Sequence, residues 1–192
     1  MLNSPSAAGP PPEFRLANPL LRLAAWIVDK VVLLPLLSVA SYAIIISKNL
    51  PLAIFALALD LAYKVILEKR RGATIGKLLL RIRVIRRDGK GLMTWNQSLL
   101  RALPWSLGFY ALTFVLIRYF QTPGFLEIAT EDGFREFVNE HPLSGNTFVS
   151  LMIMAPFLSA TWILSDPLLR ALHDRLGGTV VVRGAGNDET DD

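Results

Sequence analysis

The stretch LLRLAAWIVDKVVLLPLLSVASYAIII, residues 20–46, decides the fold of this chain. The chain has no charged side chain from Val31 to Ser47, and a helix of that length rises about 25 Å. With the turn or two that precede it, such a helix crosses a hydrocarbon core of about 30 Å. The sequence therefore predicts a first transmembrane span over residues 20–47, with the carboxylate of Asp29 inside the membrane or just inside its edge.

Two ionisable residues of this span share one helical face. Arg22 and Asp29 are seven positions apart, so they lie on nearly the same side of a helix. A charged group at such a depth is energetically costly, and it usually faces the interior of a helix bundle. Both residues are therefore candidates for a site inside the bundle.

The composition is typical of a membrane protein with several spans. Of the 192 residues, 52% are hydrophobic, and the mean hydropathy is +0.41, which is more than one soluble core requires. The chain has no cysteine, and its two isolated histidines do not make a metal site, so we expect no metal and no cofactor. The basic residues cluster beside apolar segments, as membrane topology requires, which argues against nucleic acid as a partner.

Three further apolar segments predict an all-α integral membrane protein with about four transmembrane helices, the others spanning about residues 51–67, 99–118 and 143–165. Asp60 and Lys64 interrupt the second span, and their i, i+4 spacing predicts an ion pair between them. The alternative is that Asp60 faces Asp29 as a second carboxylate. Arg101, at the inner end of the third span, is either a positive-inside anchor or the partner of a buried carboxylate.

The charges of the two long connections predict the orientation in the membrane. Residues 68–90 hold nine Lys or Arg against two acids, so the positive-inside rule places this loop and both termini in the cytoplasm. The same bases would lie near anionic lipid headgroups. Residues 121–146 hold five acids and one base, which is typical of an outer loop. Its apolar residues predict a short amphipathic helix lying on the membrane or on the bundle.

Short elements are predicted at the cytoplasmic ends of the spans. GATIGKLLL (72–80) has three residues between its glycines rather than the four of a phosphate-binding loop, so we interpret it as a short interfacial helix over residues 74–80. Residues 83–87 and 179–183 are strand-like and are predicted to pair. We expect a helix that begins at Pro167 and ends at Gly177-Gly178. Residues 1–18 and 184–192 are predicted to be disordered tails.

The order of these motifs resembles the RDD family of small, multi-span bacterial membrane proteins. The residues that match are Arg22 and Asp29 in RLAAWIVD and Asp174 in ALHDRLGGTVVV, together with GATIGKLLLRIRV, the Asp88-Gly89 turn, Trp95 and Arg101. The resemblance covers residues 20–183 and implies a multi-pass protein of the bacterial cytoplasmic membrane. The chain departs from the family pattern at Lys30, at Asp60 and in the long acidic outer loop. Lys30 is expected to neutralise its neighbour Asp29.

The resemblance implies two functions, since some members are associated with sodium–proton antiport and others look like accessory membrane proteins. In the accessory or scaffold hypothesis, Arg22, Asp29 and Asp174 form an internal ionic cluster, which Lys30 balances in charge. In the antiporter hypothesis, Asp29 is the first candidate to bind Na⁺ or H⁺ and Asp60 is the second. Arg22 and Asp174 would then gate the inner mouth, and a homo-oligomer would be required because four spans enclose a pathway poorly.

An enzymatic function is not predicted. The sequence has no Ser–His–Asp order, no paired-carboxylate hydrolase pattern and no metal motif. The pair His173-Asp174 is too short a signal for a phosphohydrolase, and we interpret it as an ordering contact at a helix end.

Overall fold

The helices and one small sheet are arranged so that the sheet lies at one end of the helix bundle. The structure, a computed structural model, describes residues 15–142 and 146–183. Its helices are α1 (Pro19–Val32), α2 (Leu34–Ile45), α3 (Leu50–Arg71), α4 (Ile75–Leu79), α5 (Trp95–Phe120), α6 (Glu131–Glu140), α7 (Thr147–Thr161) and α8 (Leu172–Leu176). Its strands are β1 (Arg15–Leu16), β2 (Ile82–Arg86) and β3 (Thr179–Arg183), and short 3₁₀ turns cover Phe125–Glu127 and Trp162–Leu164.

Within the described ranges, three helices are long and apolar enough to cross a membrane: α3, α5, and α7 extended to Leu164. The pair α1 and α2 passes the same test as one bent span, which brings the number of spans to as many as four. The predicted spans overlap these candidate helices. α3 and α5 are longer than the predicted second and third spans, because α3 continues to Arg71 and α5 begins at Trp95.

The first span is not the single helix that the sequence predicts. It breaks at Leu33, and the axes of α1 and α2 differ by 56°. Pro35 is at the start of α2, where it has no N–H to donate, and its ring would clash with the carbonyl of Val31 in a continuous helix. The prediction missed the break because it followed hydropathy, which proline does not interrupt.

Capping residues set the ends of the two long helices. α3 ends at Gly72, which has φ +67, a left-handed conformation that glycine adopts readily. α5 begins with a capping box in which the side chains of Thr94 and Gln97 each accept a hydrogen bond from the other's backbone N–H. Because α3 continues past residue 67, Glu68 lies within the helix and not in the loop to which the sequence analysis assigned it.

The strand pairing that the sequence predicts is confirmed. β2 and β3 are antiparallel, with Val84 opposite Val181, and β3 lies in the middle of a three-stranded sheet. β1 pairs with the other edge of β3. The prediction of disorder over residues 1–18 is therefore wrong for Arg15 and Leu16, since β3 offers them a free edge. Residues 1–14 and the tail 184–192 lie outside the described residues.

Two short helices flank the sheet. α4 confirms a short helix within the predicted residues 74–80, and it packs on α1. α8 begins only at Leu172, so the helix predicted to start at Pro167 is wrong over its first half. The carboxylate of Asp166 accepts the N–H of Leu168 at 2.8 Å, and Leu169 has φ +49. A positive φ cannot belong to a right-handed helix, so the first turn does not form.

The acidic loop packs against the opposite end of the bundle. Phe137 of α6 and Phe125 of the preceding turn are buried with Tyr119 at the end of α5. The charged residues of α6 remain exposed. The amphipathic helix α6 therefore packs on the bundle, which is one of the two placements that the sequence left open.

The strand register can be tested in this cysteine-free chain. Replacing Val84 and Val181 with cysteine should allow a disulfide, because facing residues of an antiparallel pair have Cα atoms about 4.5–5.5 Å apart, which a disulfide can bridge. Mass spectrometry of the oxidised, digested protein would detect the linked peptides. The pair Ile85→Cys with Val181→Cys is the control, since neighbouring strand positions face opposite sides of the sheet. Efficient linkage of the control alone would show that the register is shifted.

Candidate functional site

A buried network of charged side chains joins the ends of the helices to the sheet. Its centre is Arg101, in the second turn of α5, whose side chain is 0% exposed. Arg101 Nη1 donates to the carboxylate of Asp174 and, at 2.6 Å, to the hydroxyl of Thr179 at the start of β3. Its Nε donates to Glu68 of α3 at 3.2 Å. One guanidinium therefore fixes α3, α8 and β3 relative to α5.

The carboxylate of Asp174 is shared by two arginines. Arg22 Nη2 of α1 donates to it at 2.5 Å, on the oxygen that also accepts the backbone N–H of Ala171 at 2.9 Å. Arg22 Nη1 donates to the carbonyl of Leu169 at 2.7 Å. Burial alone would raise the pKa of the Asp174 carboxyl, but Arg101 and Arg22 outweigh burial and hold that pKa well below its usual range. Asp174 is therefore a permanent anion that bridges α1 and α5.

Glu68 is the second buried carboxylate of the network. Besides Arg101, it accepts hydrogen bonds from Lys64, one turn earlier in α3 at 3.2 Å, and from Lys77 of α4. Lys64 also lies over the ring of Trp105 at 3.8 Å, a cation–π contact. Glu68 thus ties α4 to the same network, which holds four bases against two acids. One donor, Arg101 Nη2, is buried without a hydrogen-bond partner among the described residues.

Asp29 forms a separate anchor between α1 and α4. Its carboxylate accepts hydrogen bonds from the hydroxyls of Thr74 at 2.6 Å and Tyr63 at 2.7 Å, and from the backbone N–H of Gly76 at 2.8 Å. A Cβ at Gly76 would lie 2.1 Å from the carbonyl oxygen of Ala25, so only glycine permits this close approach. Gly76, the second glycine of the GATIGK motif, therefore allows α4 to pack closely on α1.

Several pairings expected from the sequence are wrong. Lys30 donates to Asp60 at 3.1 Å and not to Asp29, because adjacent helix residues point about 100° apart. Asp60 consequently does not pair with Lys64, which bonds to Glu68. Asp29 does not join Arg22 and Asp174 in one cluster. Arg101 takes the second role considered for it, as the partner of buried carboxylates.

Several side chains that complete these contacts were not predicted from the sequence. Among them are Tyr63 in the middle of α3, Glu68 in its last turn, Thr74 just before α4 and Thr179 at the start of β3. Only Glu68 carried a signal, since Lys64 precedes it by four residues and Arg101 lies on the next span. The hydroxyl groups had none, because their role depends on which helices are neighbours.

His173 is held in a buried polar contact beside Asp174. Its Nδ1 lies 2.8 Å from the hydroxyl of Ser159 in α7, and its ring packs edge-on against Trp105. Burial lowers the pKa of His173 well below its usual range. Asp174 raises this pKa, but burial together with the cations Arg101, Lys64 and Arg22 outweighs its effect. The imidazole is therefore neutral and orders α8 against α7.

The chemistry of the site is that of an internal ionic lock. Its three carboxylates, Asp29, Glu68 and Asp174, each accept at least three hydrogen bonds from the chain itself. In the part of the chain that the structure describes, no group of three His, Asp or Glu side chains is placed to hold a metal ion. The arrangement can fix elements relative to one another more readily than it can exchange a ligand.

These features define a multi-span, α-helical membrane protein whose spans are joined to a small sheet by buried arginine–carboxylate pairs. A model of the RDD family matches residues 16–178, and the chain belongs to this family. The match begins at Leu16 in β1 and ends just before β3. No curated protein and no solved structure matches the chain.

Removing the shared carboxylate should strongly destabilise the fold. We expect Asp174→Asn to lower the free energy of unfolding by about 3–5 kcal/mol, because it removes the anion that two buried guanidiniums share. Denaturant titration in detergent micelles would measure this loss. Asp132→Asn, which removes an exposed acid of α6, is the matched control and should change the free energy by less than about 0.5 kcal/mol. Equal effects of the two variants would contradict the lock.

The neutral state of His173 makes stability depend on pH. The unfolded chain binds a proton at the ordinary histidine pKa of about 6.5, whereas the folded chain does not. The contribution of neutral His173 to the free energy of unfolding is therefore fully present above that pH. As the pH falls toward the pKa of the folded state, this contribution is lost, and the free energy of unfolding decreases by at most about 1.4 kcal/mol per pH unit. We expect His173→Asn to reduce this slope in denaturant titrations between about pH 7 and about pH 5. A slope that is unchanged in the variant would assign the dependence to other groups.

Proposed function

We propose that this chain is a non-catalytic scaffold or accessory protein of the bacterial cytoplasmic membrane. The observation that carries this proposal is that the buried carboxylates of Asp29, Glu68 and Asp174 each accept at least three hydrogen bonds from donors of the same chain. A transport site must release one ligand and take another. Here each carboxylate would first have to break hydrogen bonds to several elements.

The network also supports a scaffold by what it connects. Arg22, Glu68, Arg101 and Asp174 come from α1, α3, α5 and α8, and Thr179 adds β3. Spans that hold one fixed arrangement present a constant surface to a partner, either a second copy of the chain or another membrane protein. A buried ion pair of this kind adds little net stability compared with apolar packing, but losing one partner is costly. Its role is therefore to specify the arrangement.

The distribution of charge supports an orientation with the sheet and both termini in the cytoplasm. The bases of residues 68–90 lie at the end of α3, in α4 and in β2, at the sheet end of the bundle. The acids of residues 121–146 lie at the opposite end, in and around α6. The positive-inside rule favours this orientation.

A second candidate function is cation–proton antiport, and one observation supports it. The pair Lys30 and Asp60 lies within the spans with side chains 35% and 30% exposed. An ion pair open to the surroundings at that position is expensive in lipid, and it is better placed in a hydrated cavity or against a second copy. In this candidate, Asp60 and not Asp29 binds Na⁺ or H⁺, because Asp29 is enclosed by its three donors.

A liposome assay distinguishes the two candidates. We expect the purified protein, in liposomes that hold a pH gradient, to give no proton movement on addition of Na⁺, K⁺ or Li⁺, as followed by an enclosed pH dye. Asp29→Asn should lower the yield of folded protein, since an amide cannot accept all three hydrogen bonds. Asp60→Asn, which alters only the exposed pair, should leave the yield normal. Asp132→Asn serves as the control for a surface charge.

The scaffold proposal fails if the wild-type protein moves protons in response to a cation. Loss of that movement in Asp60→Asn, with normal folding, would assign transport to the Lys30–Asp60 pair. Loss in Asp29→Asn, with normal folding, would instead show that the enclosed carboxylate opens during a transport cycle.

A further inference from the structure

Three arginines converge at one end of the sheet. Arg15 in β1 lies directly opposite Arg183 in β3, and Arg183 lies opposite Ile82 on its other side. Arg81 immediately precedes Ile82, so it is at the same end. All three arginines are exposed. Facing residues of adjacent antiparallel strands are about 4.5–5.5 Å apart at Cα, and like charges at such positions repel each other.

The repulsion is not relieved by acids within the described ranges. No carboxylate there forms an ion pair with Arg15, Arg81 or Arg183. At the other end of β2, by contrast, Arg86 is paired with Asp88 at 2.8 Å. Arg81 also has φ +54, a left-handed conformation that is unfavourable for arginine. Concentrated positive charge and a strained backbone at one place favour an external anion as the partner.

Apolar side chains next to these arginines indicate what kind of anion it is. Leu20, in the first turn of α1, is 73% exposed, and Leu79, the last residue of α4, is 67% exposed. α4 packs on α1, and Arg81 follows Leu79 by two residues. Exposed leucines beside arginines match the boundary between acyl chains and headgroups, where arginine extends its charge to the phosphate level.

We propose that Arg15, Arg81 and Arg183 form a binding site for the phosphate of an anionic phospholipid headgroup, with Leu20 and Leu79 lying against its acyl chains. β1 connects directly to the first span, and Arg81 follows α4, so the site is at the level where the spans leave the membrane. A lipid supplies both the charge and the apolar cover.

The test uses full-length protein in nanodiscs of phosphatidylcholine that contain phosphatidylglycerol as the minor lipid. After release in mild detergent, native mass spectrometry measures the ratio of retained phosphatidylglycerol to phosphatidylcholine. The wild type should be enriched in phosphatidylglycerol, and Arg15→Gln with Arg183→Gln should reduce the enrichment by at least about fivefold, the factor that about 1 kcal/mol represents. Arg15→Lys with Arg183→Lys keeps the charges and should retain most of the enrichment.

The matched control is Arg86→Gln with Arg87→Gln, which removes two charges at the other end of β2, from its last residue and from the residue that follows it. We expect this control to keep the wild-type enrichment. An equal loss in the control would overturn the proposal, since attraction would then depend on overall charge. Equal enrichment in the wild type and the Arg15/Arg183 variant would also overturn it. Displacement of phosphatidylglycerol by inorganic phosphate at constant ionic strength would overturn it as well, because the site would then serve a free anion.

Discussion

The arrangement of the chain depends on one carboxylate, that of Asp174, which lies between the guanidiniums of Arg22 and Arg101. All three groups are largely removed from water, so each charge depends on the others for its solvation. Because Arg22 belongs to α1 and Arg101 to α5, the pair of contacts fixes where the first span begins relative to the third. Glu68 extends the same constraint to α3 and α4 through Arg101 and Lys77. The sheet is included because Thr179 bonds to the same guanidinium.

The second constraint is the close contact between α1 and α4, which Asp29 and Gly76 create together. A helix that passes a span this closely must have glycine at the contact, and it must satisfy the carboxylate that the span presents there. The two anchors act at one end of the bundle, whereas the opposite end is held by the aromatic cluster around Phe125 and Phe137. Specific polar contacts, including those of Arg22, Asp29 and Asp174, are thus concentrated beside the sheet.

Much of the fold follows from the sequence because hydropathy, alternation and turn residues act locally. The spans, the β2–β3 pair and α4 are of this kind. Pro35 could also have predicted the bend at Leu33. The prediction missed it because the residues around Pro35 form an uninterrupted apolar run. The partners of the charged residues were not readable in the same way. Lys30 meets Asp60 across two helices because of how those helices rotate, and Glu68 was assigned to a loop because its neighbours are charged. Such contacts depend on packing, which no local pattern specifies.

A double-mutant cycle between Arg22 and Asp174 tests the central claim most directly. The free energy of unfolding would be measured in detergent micelles for the wild type, Arg22→Gln, Asp174→Asn and the double variant. If the two side chains solvate each other, the double variant loses less stability than the sum of the single losses, by about 1 kcal/mol or more. Single losses that add to within about 0.5 kcal/mol would contradict the account, because the two residues would then stabilise the fold independently.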